Sequence, residues 1–236
     1  CADLAKSFTV GSLNDFDTVY NFGKNKDVIT VEIEHVNIEA LEKLEAEGIK
    51  VFPQPAILKM VQDKGLQKTF YAENNIPTPA FHLVENKAGI DAFITEFPFM
   101  QKMRKGGYDG KGVTPLRKSE DLEKAFDVPS VLESFVDFDK ELAVIVSRNE
   151  KGETAVFPTV ECEFSPEANL VEFLFAPANV SAELEEKAKE LAVQIIEKLG
   201  MVGILAVELF LTKSGELLGN EIAPRPHNSG HHTIEC

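Results

Sequence analysis

No run of apolar residues in this chain is long enough to cross a bilayer, and no signal-peptide pattern opens it. Cysteine is scarce. Cys1, Cys162 and Cys236 make an odd count with no CxxC spacing, which argues against a disulfide framework and fits free thiols in a reducing, cytoplasmic setting. There is no internal repeat and no low-complexity tract. Basic residues number 24 against 39 acidic ones, a net charge of −15. Binding a nucleic-acid backbone relies on Lys and Arg to neutralise phosphates, so neither nucleic acid nor membrane is expected as a partner. No Ser-His-Asp or Cys-His arrangement suggests a protein nucleophile.

What is present is a chain of 236 residues, 44% hydrophobic, enough for a real core in one large domain or two ordinary ones. Asp27 to His35 reads as a buried strand. Asn37 caps a helix running to about Glu47 with Gly48 beyond it, and Lys50 to Phe52 is a short strand stopped by Pro53 and Pro55. This order predicts a βαβ unit. Gln62 to Asn74 reads as a helix with Leu66 and Phe70 inward, and Ile76 to Pro79 as a connector. Strands are expected near Ala80 to Val84, Phe99 to Met103 and Val131 to Ser134, with a helix from Ser119 to Phe126. Further strands are expected at Glu141 to Ser147, Ala155 to Glu161, Leu205 to Leu211 and Glu216 to Ile222. A helix capped by Ser181 and ended by Gly200 separates the last two pairs. The fold class is α+β, with an α/β N-terminal portion.

The densest signal lies between Leu205 and Ser229. Ser214-Gly215 fits a two-residue hairpin loop, which would set Glu208 directly opposite Glu221. Like charges facing each other across a ladder are unfavourable and invite a cation, and an oxygen-only pair suits Mg²⁺, with Mn²⁺ as a substitute. A surface hairpin with two solvated glutamates is the plainer reading, but both glutamates sit inside apolar runs, where carboxylates need a partner. A second signal is Lys102 to Gly112, KMRKGGYDGKG. Its glycine spacing is neither a P-loop nor a dinucleotide fingerprint, yet it frees the backbone to wrap an anion between Lys102 and Lys111. Taken alone, it is equally a mobile hairpin tip. His227 and His231 are four apart, but Pro226 and Gly230 argue against a helix presenting both to zinc. Cys162 reads as a strand residue. Glu34, at a strand end, suits either function or a cap or salt bridge.

Taken together, the glycine-rich loop, the two glutamates and the hinge-like Leu132 to Val136 resemble the ATP-grasp family. In that family two α+β subdomains clamp ATP under a glycine-rich lid. More narrowly, KMRKGGYDGKG, NEIAPRPHNSGH, VEIEHV and QDKGLQK are similar to the N5-carboxyaminoimidazole ribonucleotide synthase branch, over essentially the whole chain. The resemblance implies a pre-ATP-grasp remnant over 1–55 and an ATP-grasp domain over 56–236, the latter with a lid subdomain over about 78–132 and a metal-binding subdomain over about 133–236. It implies that Lys64 and Lys102 contact ATP phosphates, with Gly106, Gly107, Gly110 and Asn220 also on the nucleotide. Glu133 and Val136 would meet adenine, Glu141 the ribose, and Glu208 and Glu221 the metal. Tyr108, Asp109 and Lys111 would lie near bicarbonate and aminoimidazole ribonucleotide. Arg225, His227, Asn228 and Ser229 would hold phosphates and the ribotide, with Glu34 on the substrate side. Asp109 and His227 are both candidates for the proton.

The implied activity is ATP- and bicarbonate-dependent carboxylation of the ribotide amine through carboxyphosphate, in purine biosynthesis. Alternatives are another ATP-grasp carboxylase or amine ligase, or a nucleotide-binding fragment without catalysis. A homodimer is compatible with the resemblance. Where many ATP-grasp enzymes carry Asn two positions after the second metal glutamate, Ala223 stands here and Asn220 precedes the glutamate, which leaves the third ligand open. His232 replaces an expected tryptophan and takes no role. The opening Cys1, an end with no helix stop, and the lack of the family's first strand, its glycine-rich turn and its C-terminal domain suggest a piece cut at both ends.

Overall fold

The computed structural model describes residues 5–107, 111–164 and 171–234, and three hydrophobic cores organise them. The first holds α1 (Phe16–Gly23), β1 (Val28–Ile29), α2 (Ile38–Ala46), β2 (Lys50–Val51) and α3 (Pro55–Val61) around Leu41, Leu44 and Leu58. β1 and β2 pair in parallel across α2, the βαβ order that the spacing predicts. Asn37 caps α2 by accepting the Ala40 N–H at 2.8 Å, and Gly48 beyond its end takes φ +91°. The strand expected over Asp27 to His35 stops at Ile29. Beyond it Gln62 Nε2 donates to the carbonyls of Glu34 (2.7 Å) and Val36 (3.1 Å), satisfying groups a ladder would have paired. α1 and α3 lie where the sequence offers only a polar opening and a pair of prolines. Asp15 caps α1, and Pro55 sits in the first turn of α3, where its missing N–H leaves nothing unpaired.

The helix expected from Gln62 begins instead at Lys64, as α4 (Lys64–Glu73), because the Asp63 carboxylate accepts the Gly65 and Leu66 N–H groups. Leu66 is exposed, against expectation. The face turned inward carries Gln67, Lys68 and Tyr71. A helix whose buried face is polar is placed by partners elsewhere in the chain, which hydrophobic spacing does not encode.

The second core lies under an antiparallel sheet of β3 (Phe81–Val84), β4 (Phe99–Met103), β5 (Val113–Leu116) and β6 (Ser130–Ser134), in the order β3-β6-β4-β5. β4 and β5, the latter not anticipated from sequence, are the arms that carry the glycine-rich segment. Ser119 caps no helix. Ser119–Lys124 is a 3₁₀ stretch, and the Asp121 carboxylate accepts the Arg117 N–H at 3.0 Å.

The third core lies between α5 (Ala182–Leu199) and the largest sheet. That sheet contains β7 (Phe138–Arg148), β8 (Thr154–Val156), β9 (Val160–Phe164), β10 (Val171–Phe175), β11 (Gly203–Thr212) and β12 (Leu217–Ala223). Its order is β10-β9-β7-β11-β12, with β8 also along β7. The strand expected over Ala155 to Glu161 breaks in two around Pro158, which has no N–H for a ladder. α5 matches its predicted bounds. Ser181 Oγ accepts the Leu184 N–H at 3.2 Å, Gly200 takes φ +59°, and Ala188, Leu191, Ala192, Ile195 and Ile196 are buried.

Because Ser181 closes an otherwise open helix end, Ser181→Ala lowers the unfolding free energy by about 1 kcal/mol, while Ser181→Asp keeps it within about 0.5 kcal/mol of the parent. Urea midpoints at constant slope measure both.

Candidate active site

The site begins with a fault in a ladder. β11 and β12 pair as Ala206 with Ala223 and Val207 with Ile222, then as Leu209 with Gly219 and Phe210 with Leu218. Asn220 and Glu221 together therefore oppose the single Glu208, a β-bulge. The expected one-to-one pairing of Glu208 with Glu221 is corrected in this respect, and so is the loop. Thr212 N–H donates to the Glu216 carbonyl, which leaves the three residues Lys213, Ser214 and Gly215 in the turn, with Gly215 at φ +85°. A three-residue hairpin loop favours glycine at its left-handed last position. The extra residue in β12 resets the strand's alternation. Leu217 and Ile222 both enter the core beneath, although an odd number of steps apart, so Asn220 and Glu221 both face the site.

The carboxylates share this face with the partly buried Lys64 and the buried Lys102. Lys64 Nζ lies 2.5 Å from Glu221 Oε2, and Lys102 Nζ lies 3.9 Å from Glu221 Oε1. Lys102 also reaches Glu133 Oε2 at 2.7 Å and Asn220 Oδ1 at 3.0 Å. Asn220 Nδ2 in turn donates to Glu208 Oε2 at 3.3 Å. Burial and the neighbouring Glu221 charge raise the Glu208 pKa, whereas Lys64 and Lys102 overcome burial and lower that of Glu221. Glu141 has no such close cation, and burial pushes its carboxyl up to about 7.

Two cavities meet at this pair. One, of about 220 Å³, is lined by Glu34, His35, Lys64, Arg104, Lys111 and Arg225 among others. The other, of about 500 Å³, is lined by Lys102, Glu133, Val136, Glu141, Phe210 and Asn228 among others. Glu208, Glu221, His227 and Val113 line both. In a chain of net charge −15, the smaller cavity has four Lys or Arg side chains against three carboxylates. Local concentration of this kind creates anion affinity that overall charge conceals.

Most residues singled out from sequence converge here. Gly106, with φ +77°, and Gly107 line the smaller cavity beside Lys111. Tyr108, Asp109 and Gly110 lie outside the described residues. Arg225 is hydrogen-bonded and ion-paired to Glu34, which ties the hairpin tail to the first core. Ser229 lines neither of these two cavities. It is fully buried, and its hydroxyl (2.9 Å) and N–H (3.4 Å) meet His227 Nδ1. Donation from Ser229 leaves the ring proton on Nε2, which lies 3.5 Å from Glu208 Oε1. Burial and Arg225 hold His227 down at about 4, so the ring is neutral at pH 7. Cys162 is pushed up to about 12 by burial and by Glu208, which keeps it a thiol at neutral pH, the less reactive form.

Sequence reasoning assigned no individual role to three members, of which only Arg104 stood in a stretch already noted as basic, Gln101 to Gly112. His35 lines the smaller cavity, with its Nδ1 buried and unpartnered. Arg104 makes two hydrogen bonds to Asp63, at 2.8 and 2.9 Å, which moors the base of the glycine-rich segment to the start of α4. Lys68 is buried against Glu133. The available signal for Lys68 was its place four residues after Lys64, on one helical face.

Residues 69–236 match the ATP-grasp domain, and residues 1–62 match the ribonucleotide synthetase preATP-grasp domain. The chain belongs to the ATP-grasp family. This ATP-grasp chain is 39% identical over 240 residues to the chloroplastic phosphoribosylaminoimidazole carboxylase of Vigna aconitifolia, covering 99% of itself and 42% of that protein. It is 42% identical to the solved N5-carboxyaminoimidazole ribonucleotide synthetase of Thermotoga maritima, with a TM-score of 0.88 over 99% of this chain and 61% of that one. N5-carboxyaminoimidazole synthase of Aspergillus clavatus, solved with ADP and 5-aminoimidazole ribonucleotide, is 31% identical, with a TM-score of 0.90 over 98% of this chain and 62% of that one. The ATP-grasp chain thus spans less than two thirds of the length of each.

The Arg225 and Glu34 pair joins residues 191 apart in sequence. A double-mutant cycle of Arg225→Ala and Glu34→Ala should return a coupling of about 1–2 kcal/mol in unfolding free energy. Additive effects would show that the pair adds nothing to the join.

Proposed function

We propose that the protein containing this chain carboxylates the amine of 5-aminoimidazole ribonucleotide, using ATP and bicarbonate, in the cytoplasm. The observation that carries this reading is the meeting of two cavities at one carboxylate pair. One cavity is large enough for a nucleotide, and the other is small and cationic. The names of the relatives, and the ADP and ribotide bound together in the Aspergillus clavatus enzyme, support the same reading.

The donor set fits Mg²⁺. Glu208, Glu221 and the Asn220 carbonyl offer only oxygen, and Glu221 stands close enough for its charge to raise the Glu208 pKa. Among the described residues no group of three His, Cys, Asp or Glu is placed to hold a metal. Phosphate oxygens and water would therefore complete the shell, as Mg²⁺ sites commonly require, and Mn²⁺ would be accepted too. When bound, the ion neutralises charge on the phosphates.

The chain's own groups supply the rest. Phe210 and Val136 wall the larger cavity for a purine, and Glu141 faces it where ribose hydroxyls would lie. Lys102 and Lys64 offset phosphate charge as bicarbonate, a stable anion, approaches the γ-phosphoryl group. This transfer needs positioning and charge neutralisation, without a protein nucleophile. Carboxyphosphate decays in water, so the glycine-rich segment with Gly106, Gly107 and Lys111 serves as a cover. Arg225 holds the ribotide beside Glu34, and Asn228, on the larger cavity, serves the phosphates. Neutral His227, kept by Ser229 in the tautomer with its proton on Nε2, offers that N–H as a donor to the anions beside it, which leaves Asp109 as the candidate for the amine proton. The 1–55, 78–132 and 133–236 divisions correspond in this reading to the entry unit, lid and metal-binding parts.

In the protein containing this chain, phosphate release from Mg-ATP should require both bicarbonate and 5-aminoimidazole ribonucleotide. Equal stimulation by unrelated amines would replace this acceptor with another. Glu221→Ala should weaken Mg²⁺-dependent ATP binding by at least about 10-fold in calorimetry. Unchanged affinity would remove the metal assignment.

A further inference from the structure

Lys68 lies outside both cavities and reaches the larger one only through Glu133, which lines it. It is nevertheless among the most buried charges in the molecule, at 2% exposure. Its Nζ lies 2.5 Å from Glu133 Oε1 and donates to Thr78 Oγ1 at 2.7 Å. The other oxygen of Glu133 meets Lys102 at 2.7 Å, so one carboxylate bridges two ammonium groups. Thr78 passes the connection on by donating to the Gly219 carbonyl at 2.8 Å, one residue before the bulge. Gly219 N–H donates to the Pro77 carbonyl at 2.7 Å, which closes the link between the connector and β12.

This arrangement bears on Lys102. A carboxylate paired only with Lys102 would cancel its charge and draw both oxygens onto it. A second ammonium on the far oxygen leaves the three-group cluster with a net positive charge. It also fixes the carboxylate so that Lys102 has one contact to Glu133 and its remaining donors toward Asn220 and the cavity. Removing the far cation would strand a buried oxygen, which is costly to leave unpaired.

We infer that Lys68 is a positioning residue for anion binding. It holds Glu133 as a half-neutralised bridge, so that Glu133 does not cancel the charge that Lys102 presents to phosphates in the larger cavity. The inference rests on the nucleotide reading of that cavity.

The test compares ATP with adenosine, which has the ring and sugar but no phosphate, by calorimetry on the full chain with Mg²⁺. Lys68→Met should weaken ATP by about 10-fold or more and leave adenosine within about 2-fold, whereas Lys68→Arg should restore ATP to within about 3-fold of the parent. Thr78→Ala removes the nearer of the two neutral acceptors of Lys68, the other being the Gly219 carbonyl at 3.5 Å, without burying a new group. It should weaken ATP by about 3-fold with adenosine unchanged, and it carries the test alone if Lys68→Met does not fold. Unchanged ATP affinity in these variants overturns the inference. Equal loss of ATP and adenosine also overturns it, by making Lys68 a structural residue only. If the parent chain binds neither compound, the nucleotide reading itself falls. That outcome differs from a parent that binds ATP and a variant that binds it equally well.

Discussion

A single surplus residue in β12 decides what the rest of the site can be. An unbroken ladder would turn Asn220 and Glu221 to opposite faces of the sheet, because neighbouring residues alternate. The bulge opposite Glu208 turns both to the same side while Leu217 and Ile222 stay in the core. Three oxygen-bearing side chains therefore gather at one point, where the carboxylates repel each other unless cations intervene. Lys64 and Lys102 are the intervening cations that the chain itself provides.

Charge in this molecule is organised by place. The surface excess of acid keeps the chain from behaving as a general polyanion binder, while the cavity walls collect Lys64, Lys102, Arg104, Lys111 and Arg225. Each comes from a different part of the chain or fills a different role. Lys64 starts α4, Lys102 sits on β4, Arg104 is tied to Asp63, and Arg225 reaches back to Glu34. The site is therefore also a joint between the three cores, and ion pairs that tune it also hold it together. Proper assembly of the fold and proper charge in the cavity are in this sense one requirement.

The site's dependence on distant pieces explains which parts of it were legible in sequence. Local patterns were readable: the caps of α2 and α5, the hairpin around Gly215, the glycine-rich segment and the two glutamates in apolar runs. Each depends on a few neighbouring residues and on well-defined backbone preferences. The failures also have local causes. Pro158 interrupts a strand whose apolar pattern continues through it, Asp63 starts a helix two residues late, and Gln62 takes over hydrogen bonds expected of a strand. Leu66 was expected inside because helical spacing counts apolar residues, whereas α4 buries a lysine that only Glu133 and Thr78 make acceptable.

The sequence by itself determined the composition of the site, because the glutamates, lysines and glycines that line it can be named from spacing and resemblance. It also determined the α+β character, through periodicities that survive in the strands and helices. Only the tertiary structure decided the bulge, the tautomer of His227, the inward turn of Ser229 and the pairing of Lys68 with Glu133. These depend on register between strands and on contacts between residues far apart in the chain. Both are set by how the three cores pack and leave no periodic trace along the sequence.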